Sequence, residues 1–164
     1  MTSPFSKYNN LTQRIIAALI GVFVIVASLL AGPWYYYITF LFICLITQLE
    51  FYKLVGLDGM IPLKTFGTFN GLVLFTLTFL VEGGTLPAKY YFLMFPIIAG
   101  VYLIYLYRKR VTKPFRGIAF TFLGIIYVAV PFSLLNVIVF HPGEYTSEIL
   151  LGSLFLLWSN DTGA

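Results

Sequence analysis

The sequence predicts an all-α polytopic membrane protein of about six transmembrane helices, a single unit over residues 1–164 with its N-terminus in the cytoplasm. Three observations carry this. The 164 residues are 60% hydrophobic and only 10% charged, with a mean hydropathy of +0.93, whereas a soluble domain is roughly 25% charged. Uncharged runs long enough to cross a bilayer recur along the whole chain. The basic residues gather in alternate connections between those runs.

The first run, from Ile15 to Leu49, carries no charge. As one helix it would be roughly 50 Å long against a hydrocarbon core of about 30 Å, so it must fold back. The break falls at "AGPW", where Gly32 and Pro33 supply the turn. Trp34, Tyr35, Tyr36 and Tyr37 then form an interfacial aromatic belt. Further uncharged runs give six spans near 15–31, 34–50, 66–81, 90–107, 118–140 and 148 to the end. Pro96 and Pro131 are expected to kink their helices, and Asn70 and Asn136 to hydrogen-bond between helices. The basic N-terminal region is not a signal peptide, because "SLLAGPW" offers no small-residue cleavage site and more spans follow.

Lys7, Arg14, Lys53, Lys64, Arg108, Lys109, Arg110, Lys113 and Arg116 fall on one side of this arrangement. Lys89 alone falls on the other, with Glu82, Glu144 and Glu148. The positive-inside rule makes the basic side cytoplasmic. Topology therefore accounts for "RKRVTKPFR" and for the net charge of +4, with membrane lipids as contacts and no nucleic acid. Cys44 is the single cysteine, so no intramolecular disulfide or cysteine zinc site forms within this sequence, and in "FLFICLIT" it is a packing residue. His141 stands alone in a connection and is not a metal site.

The sixth span runs inward from about Glu148, which carries Asp161 roughly 20 Å along the helix into the cytoplasmic half of the bilayer. An acid at that depth costs on the order of 2.5–3.5 kcal/mol and marks a functional site. Ser159, Asn160 and Thr162 surround it as a polar collar, because successive residues turn by about 100°. Glu50, in "ITQLEFYKL" at the cytoplasmic end of the second span, has two readings. It pairs with Lys53 three residues on, or it joins Asp161 in holding a cation or a phosphate-bearing substrate. A helix end at Ala164 would leave carbonyls unpaired near hydrocarbon, and the expectation is that residues 1–164 are the N-terminal part of a longer protein.

No phosphate-binding glycine loop, nucleophile elbow or paired-histidine motif occurs. Four segments in order nevertheless carry a resemblance: "NLTQRIIAALIG", "LEFYKL", "GIIYVAVPFSLL" and "LLWSNDTGA". Together they resemble the N-terminal half of the phosphatidate cytidylyltransferases, also called CDP-diacylglycerol synthases. Members of that family carry Arg-Ile-Ile near the start, a Glu before aromatic residues, a Tyr-Val-x-x-Pro segment and Trp-x-x-Asp in the sixth span. The resemblance implies transfer of a cytidylyl group from CTP to phosphatidic acid, giving CDP-diacylglycerol and pyrophosphate at the cytoplasmic face of a plasma or cell inner membrane. It implies Mg²⁺ to neutralise the triphosphate, and it leaves open a monovalent cation and a homodimer. It implies Asp161 as the catalytic acid, Glu50 and Asn160 as substrate-binding residues, and Arg14 as the basic residue of the first span. The family's Ser-x-x-Lys-Arg, Lys-Asp and Pro-Gly-His-Gly-Gly signatures are not within residues 1–164, so its main metal ligands are expected beyond them. Residues 1–164 alone are then expected to be inactive. The competing reading is a small transporter or channel subunit with an intramembrane acid.

Overall fold

The computed structural model describes residues 10–57, 62–107, 114–141 and 143–163, all of them in helices or short connections with no strand. Lys7, Arg108, Lys109, Arg110 and Lys113 lie outside the described residues. Helix α1 spans Asn10–Ala31 and α2 spans Pro33–Leu57. Only Gly32 separates them, at φ 125°, a conformation that residues with a Cβ rarely adopt. Pro33 then opens α2 at the position where a missing N–H costs nothing.

Helix α3 (Lys64–Glu82) ends in Gly83 and Gly84, the latter at φ 71°, and the N–H groups of Thr85 and Leu86 both bond to the Leu80 carbonyl. A 3₁₀ segment, Ala88–Leu93, leads into α4 (Met94–Tyr107). Pro96 therefore sits in the first turn of α4, directly after the 3₁₀ segment, where a proline is tolerated. Helix α5 (Pro114–Gly124) passes through a π segment, Ile125–Ala129, into α6 (Val130–Val139). Pro131 is the physical reason. Its ring would strike the carbonyl of Tyr127 in a regular helix, and the wider π turn moves that carbonyl away.

Five helical stretches are long and apolar enough to cross a membrane: Thr12–Ala31, Pro33–Gly56, Lys64–Glu82, Ala88–Tyr107 and Pro114–Val139. They match the first five expected spans. The sixth is helical as expected, but α7 (Glu148–Gly163) has 16 residues. Its length of about 24 Å is less than the hydrocarbon thickness.

The bundle has two unlike halves. Toward the end that carries Glu82 and Glu148, an aromatic core packs Leu29, Tyr36, Phe40, Phe75, Phe79, Val139 and Leu150. Asn136 ties this half together. Its amide donates to the Phe75 carbonyl (3.0 Å) and to Thr78 Oγ1 (3.0 Å), and its Oδ1 accepts from Tyr36 (3.0 Å). Asn136 is thus the expected interhelical residue. Asn70 differs, because its amide donates to Phe66 four residues back in the same helix. Tyr145 Oη reaches the Leu29 carbonyl (2.8 Å) and fastens the start of α7 to the end of α1. Beyond that point α1 and α7 are mostly exposed, as Phe23 at 73% and Leu156 at 73% show.

Candidate active site

In the half that carries Lys53, Lys64 and Arg116, glycine rather than aromatic packing brings the helices together. The segment "GTFNG" of α3 places Gly67 and Gly71 on one face. Tyr52 lies against Gly67 and Gly124, Gln48 against Gly71, and Tyr105 against Gly117, so closely that a Cβ at any of these glycines would displace the side chain. Tyr52 Oη donates to the Thr121 carbonyl (2.8 Å), Gln48 Nε2 to the Gly67 carbonyl (3.1 Å), and Thr121 Oγ1 accepts the Leu63 N–H (2.9 Å). Gln48 Oε1, Thr68 Oγ1, Asn70 Oδ1 and Ser133 Oγ are buried without a partner among the described residues. This seam fixes the depth at which α2, α3 and α5 meet. Its sequence signal is the Gly-x-x-x-Gly spacing, which hydropathy alone does not register.

The acids lie outside the seam. Glu50 is 60% exposed and pairs with Lys53 at 3.7 Å on the surface of α2, which is the interfacial one of its two readings. Ser159, Asn160 and Asp161 are all exposed on α7, and the side chain of Thr162 lies outside the described residues. Arg14 is exposed on α1 and His141 in a turn. Among the described residues no hydrogen bond or ion pair joins Glu50 to Asp161.

What the fold does give Glu50 and Asp161 is a common level. Thr146 N–H bonds to the Val139 carbonyl, so α7 descends antiparallel to α6 from a known pairing. Counting equal helical rise down both chains brings Asp161 to about the level of Gly124, and Trp158 to about that of Tyr127. On α2, Phe51 meets Tyr127 with ring centroids 6.0 Å apart, and Tyr52 reaches Thr121, so the neighbouring Glu50 stands at that level too. The π segment occupies the same level, packing against α2 through this aromatic contact and continuing into α6, which packs against α7. By this count of helical rise, Glu50 and Asp161 come to about the depth of the π turn of the fifth span.

Residues 12–164 match the cytidylyltransferase family. The chain belongs to that family. No curated protein and no solved structure gives a significant match. Membership supports cytidylyl transfer as the activity. "LEFYKL", "IIYVAVP" and "WSND" contribute Glu50, Tyr127 and Asp161, one from each of three separate helical segments.

Nucleotidyl transfer calls for a divalent ion, and Mg²⁺ asks for one or two carboxylates within near-octahedral oxygen geometry. The described residues do not fit that demand. No group of three His, Cys, Asp or Glu side chains is assembled among them, and the unpartnered buried oxygens are neutral amides and hydroxyls. The carboxylates of the described residues stand apart and form no metal cage.

Proposed function

We propose that this chain takes part in transferring a cytidylyl group from CTP to phosphatidic acid, forming CDP-diacylglycerol and pyrophosphate. The observation that carries the reading is the match of residues 12–164 to the cytidylyltransferase family. A phosphate oxygen of the lipid attacks the α-phosphorus of CTP, the bond from that phosphorus to the bridging oxygen breaks, and pyrophosphate leaves in line. In this reading Asp161 is the catalytic acid that handles cation or nucleotide charge, while Glu50 and Asn160 orient the substrates. Mg²⁺ would accompany the triphosphate as its counter-ion.

The lipid acceptor suits an apolar bundle, because its chains stay in the bilayer while its phosphate meets a water-soluble donor at the basic, cytoplasmic side. The test is incorporation of labelled CTP into lipid by membranes bearing the intact protein and supplied with phosphatidic acid. Labelled lipid that depends on phosphatidic acid is expected. Transfer to some other acceptor, or none, overturns the reading.

A further inference from the structure

We propose that Gln48 and Tyr52 are positioning residues for Glu50, and that they key the rotation of α2 so that this acid is held out from the bundle toward substrate. The inference rests on the reading of Glu50 as a substrate-binding residue and names the buried groups through which this chain orients it.

It starts from a stripe. Tyr36, Phe40, Cys44, Gln48 and Tyr52 recur at every fourth position of α2, and none is more than 5% exposed. An i to i+4 ridge of this kind packs into the groove of a neighbouring helix. Its first positions are aromatic and pack by shape, in the cluster with Phe75 and Phe79. Its last two are polar and are keyed. Gln48 lies on Gly71 and Tyr52 on Gly67, glycines one turn apart on α3, and Tyr52 lies also on Gly124 of α5. Two side chains one turn apart thus enter two gaps one turn apart, in reversed order along α3. Each is bonded in place, Gln48 Nε2 to the Gly67 carbonyl and Tyr52 Oη to the Thr121 carbonyl.

Glu50 stands two residues from each key. Successive residues turn by about 100°, so its side chain leaves α2 about 160° away from both. Its 60% exposure follows from that opposition. A rotation of α2 by one residue step would lift both keys from their glycines, break both bonds and turn the carboxylate off its outward heading. Apolar contacts alone hold such a rotation weakly, because lipid tails are as apolar as the helices they would replace. Gln48 also has a buried Oε1 with no partner among the described residues. An unpaired buried acceptor lowers stability, so the gain from this amide lies in the place it fixes.

The test is a double-mutant cycle on the full-length protein, reading KM and kcat for transfer from labelled CTP together with the thermal midpoint. Tyr52→Phe keeps the ring and removes the bond to Thr121. Gln48→Met keeps the side-chain length and removes the bond to Gly67. Each is expected to raise KM for CTP by about tenfold with kcat nearly unchanged, the mark of lost substrate binding. The midpoint is expected to stay within about 4 °C of wild type. Glu50→Gln is expected to raise KM at least as far, and adding Tyr52→Phe or Gln48→Met to it is expected to raise KM no further, since residues that act through one another are not additive. A second tenfold rise in the double variants overturns the proposal and leaves Glu50 a binding residue. Wild-type KM in both Tyr52→Phe and Gln48→Met overturns it too. Wild-type KM in Glu50→Gln removes Glu50 from binding and the proposal with it. If one of the two keyed variants fails to fold, the other carries the cycle. Should the cytidylyl group pass to an acceptor other than phosphatidic acid, the same cycle is read on that acceptor, so that the lipid-acceptor reading fails while this inference stands.

Discussion

Asn136 and Asp161 are polar residues on adjoining apolar helices, α6 and α7, yet they are handled in opposite ways. Asn136 is fully buried and uses its amide for three hydrogen bonds that join α2, α3 and α6. Asp161 is exposed and has no partner among the described residues. In a membrane protein a satisfied polar group acts as a fastener, whereas an exposed one must be met by water, ligand or another chain. The same contrast runs through α2, where Gln48 and Tyr52 are buried against glycines and Glu50 faces outward. Burial with partners marks what holds the bundle together, and Glu50 and Asp161 stand outside that set.

The sharpest test of that division is Asp161→Asn. Transfer of labelled cytidylyl to lipid is expected to fall by about 10²-fold or more, the scale of losing a charge aimed at the reacting groups. The thermal midpoint should hardly move, since no contact of the folded bundle is removed. Full activity in this variant would take Asp161 out of the mechanism. Asn136→Leu should do the reverse, lowering stability by about 2–3 kcal/mol through three lost interhelical bonds. Its activity per folded molecule should remain near that of wild type, and a midpoint unchanged in detergent would break the comparison.

Gly67→Ala comes next. Its Cβ would push Tyr52 off the Thr121 carbonyl, with an expected cost of about 1–3 kcal/mol. Replacing Tyr52 by Phe in the same chain should recover part of that loss, and no recovery would mean that the hydroxyl is not what clashes.

A smaller effect is expected at Tyr145, whose hydroxyl, bonded to Leu29, is pushed by burial from 10.0 up to about 12. The folded state holds this proton more tightly than the unfolded chain, so its contribution is complete below about pH 10. It is lost as pH rises from about 10 toward 12. Thermal midpoints measured across that window should fall less steeply in Tyr145→Phe than in wild type. Smallest of all, Lys53→Ala removes an exposed pair with Glu50 and should change stability by less than about 0.5 kcal/mol. A larger change would mean that Glu50 belongs to the fastening set.

Much of the fold is legible in the residue order. Uncharged runs, the Gly32–Pro33 break and the alternation of basic connections read out the first five spans, because each depends on local composition against a bilayer of known thickness. The two prolines were harder to interpret. A proline in a span predicts a local distortion, whose form depends on the turn before it: a 3₁₀ segment precedes Pro96 and a π segment precedes Pro131. Asn70 and Asn136 look alike in sequence, and only Asn136 reaches across helices, since the choice of partner belongs to the neighbouring helix. Tyr52 and Thr121 were invisible as partners. Their bond spans 69 positions in the chain and rests on glycines that let the helices approach.

The sequence by itself determined that this is a helical membrane protein, where its spans turn and, through its ordered motifs, which family it resembles. These follow from short-range properties: hydropathy, backbone permissiveness and residue spacing. Only the tertiary structure decided that Glu50 faces Lys53, that Gln48 and Tyr52 are buried against glycines, and that Phe51 meets Tyr127 of the π segment. Depth and facing depend on how far one helix slides and rotates against another. Side-chain volumes and hydrogen bonds between distant residues set that relation, and no local run of sequence contains it.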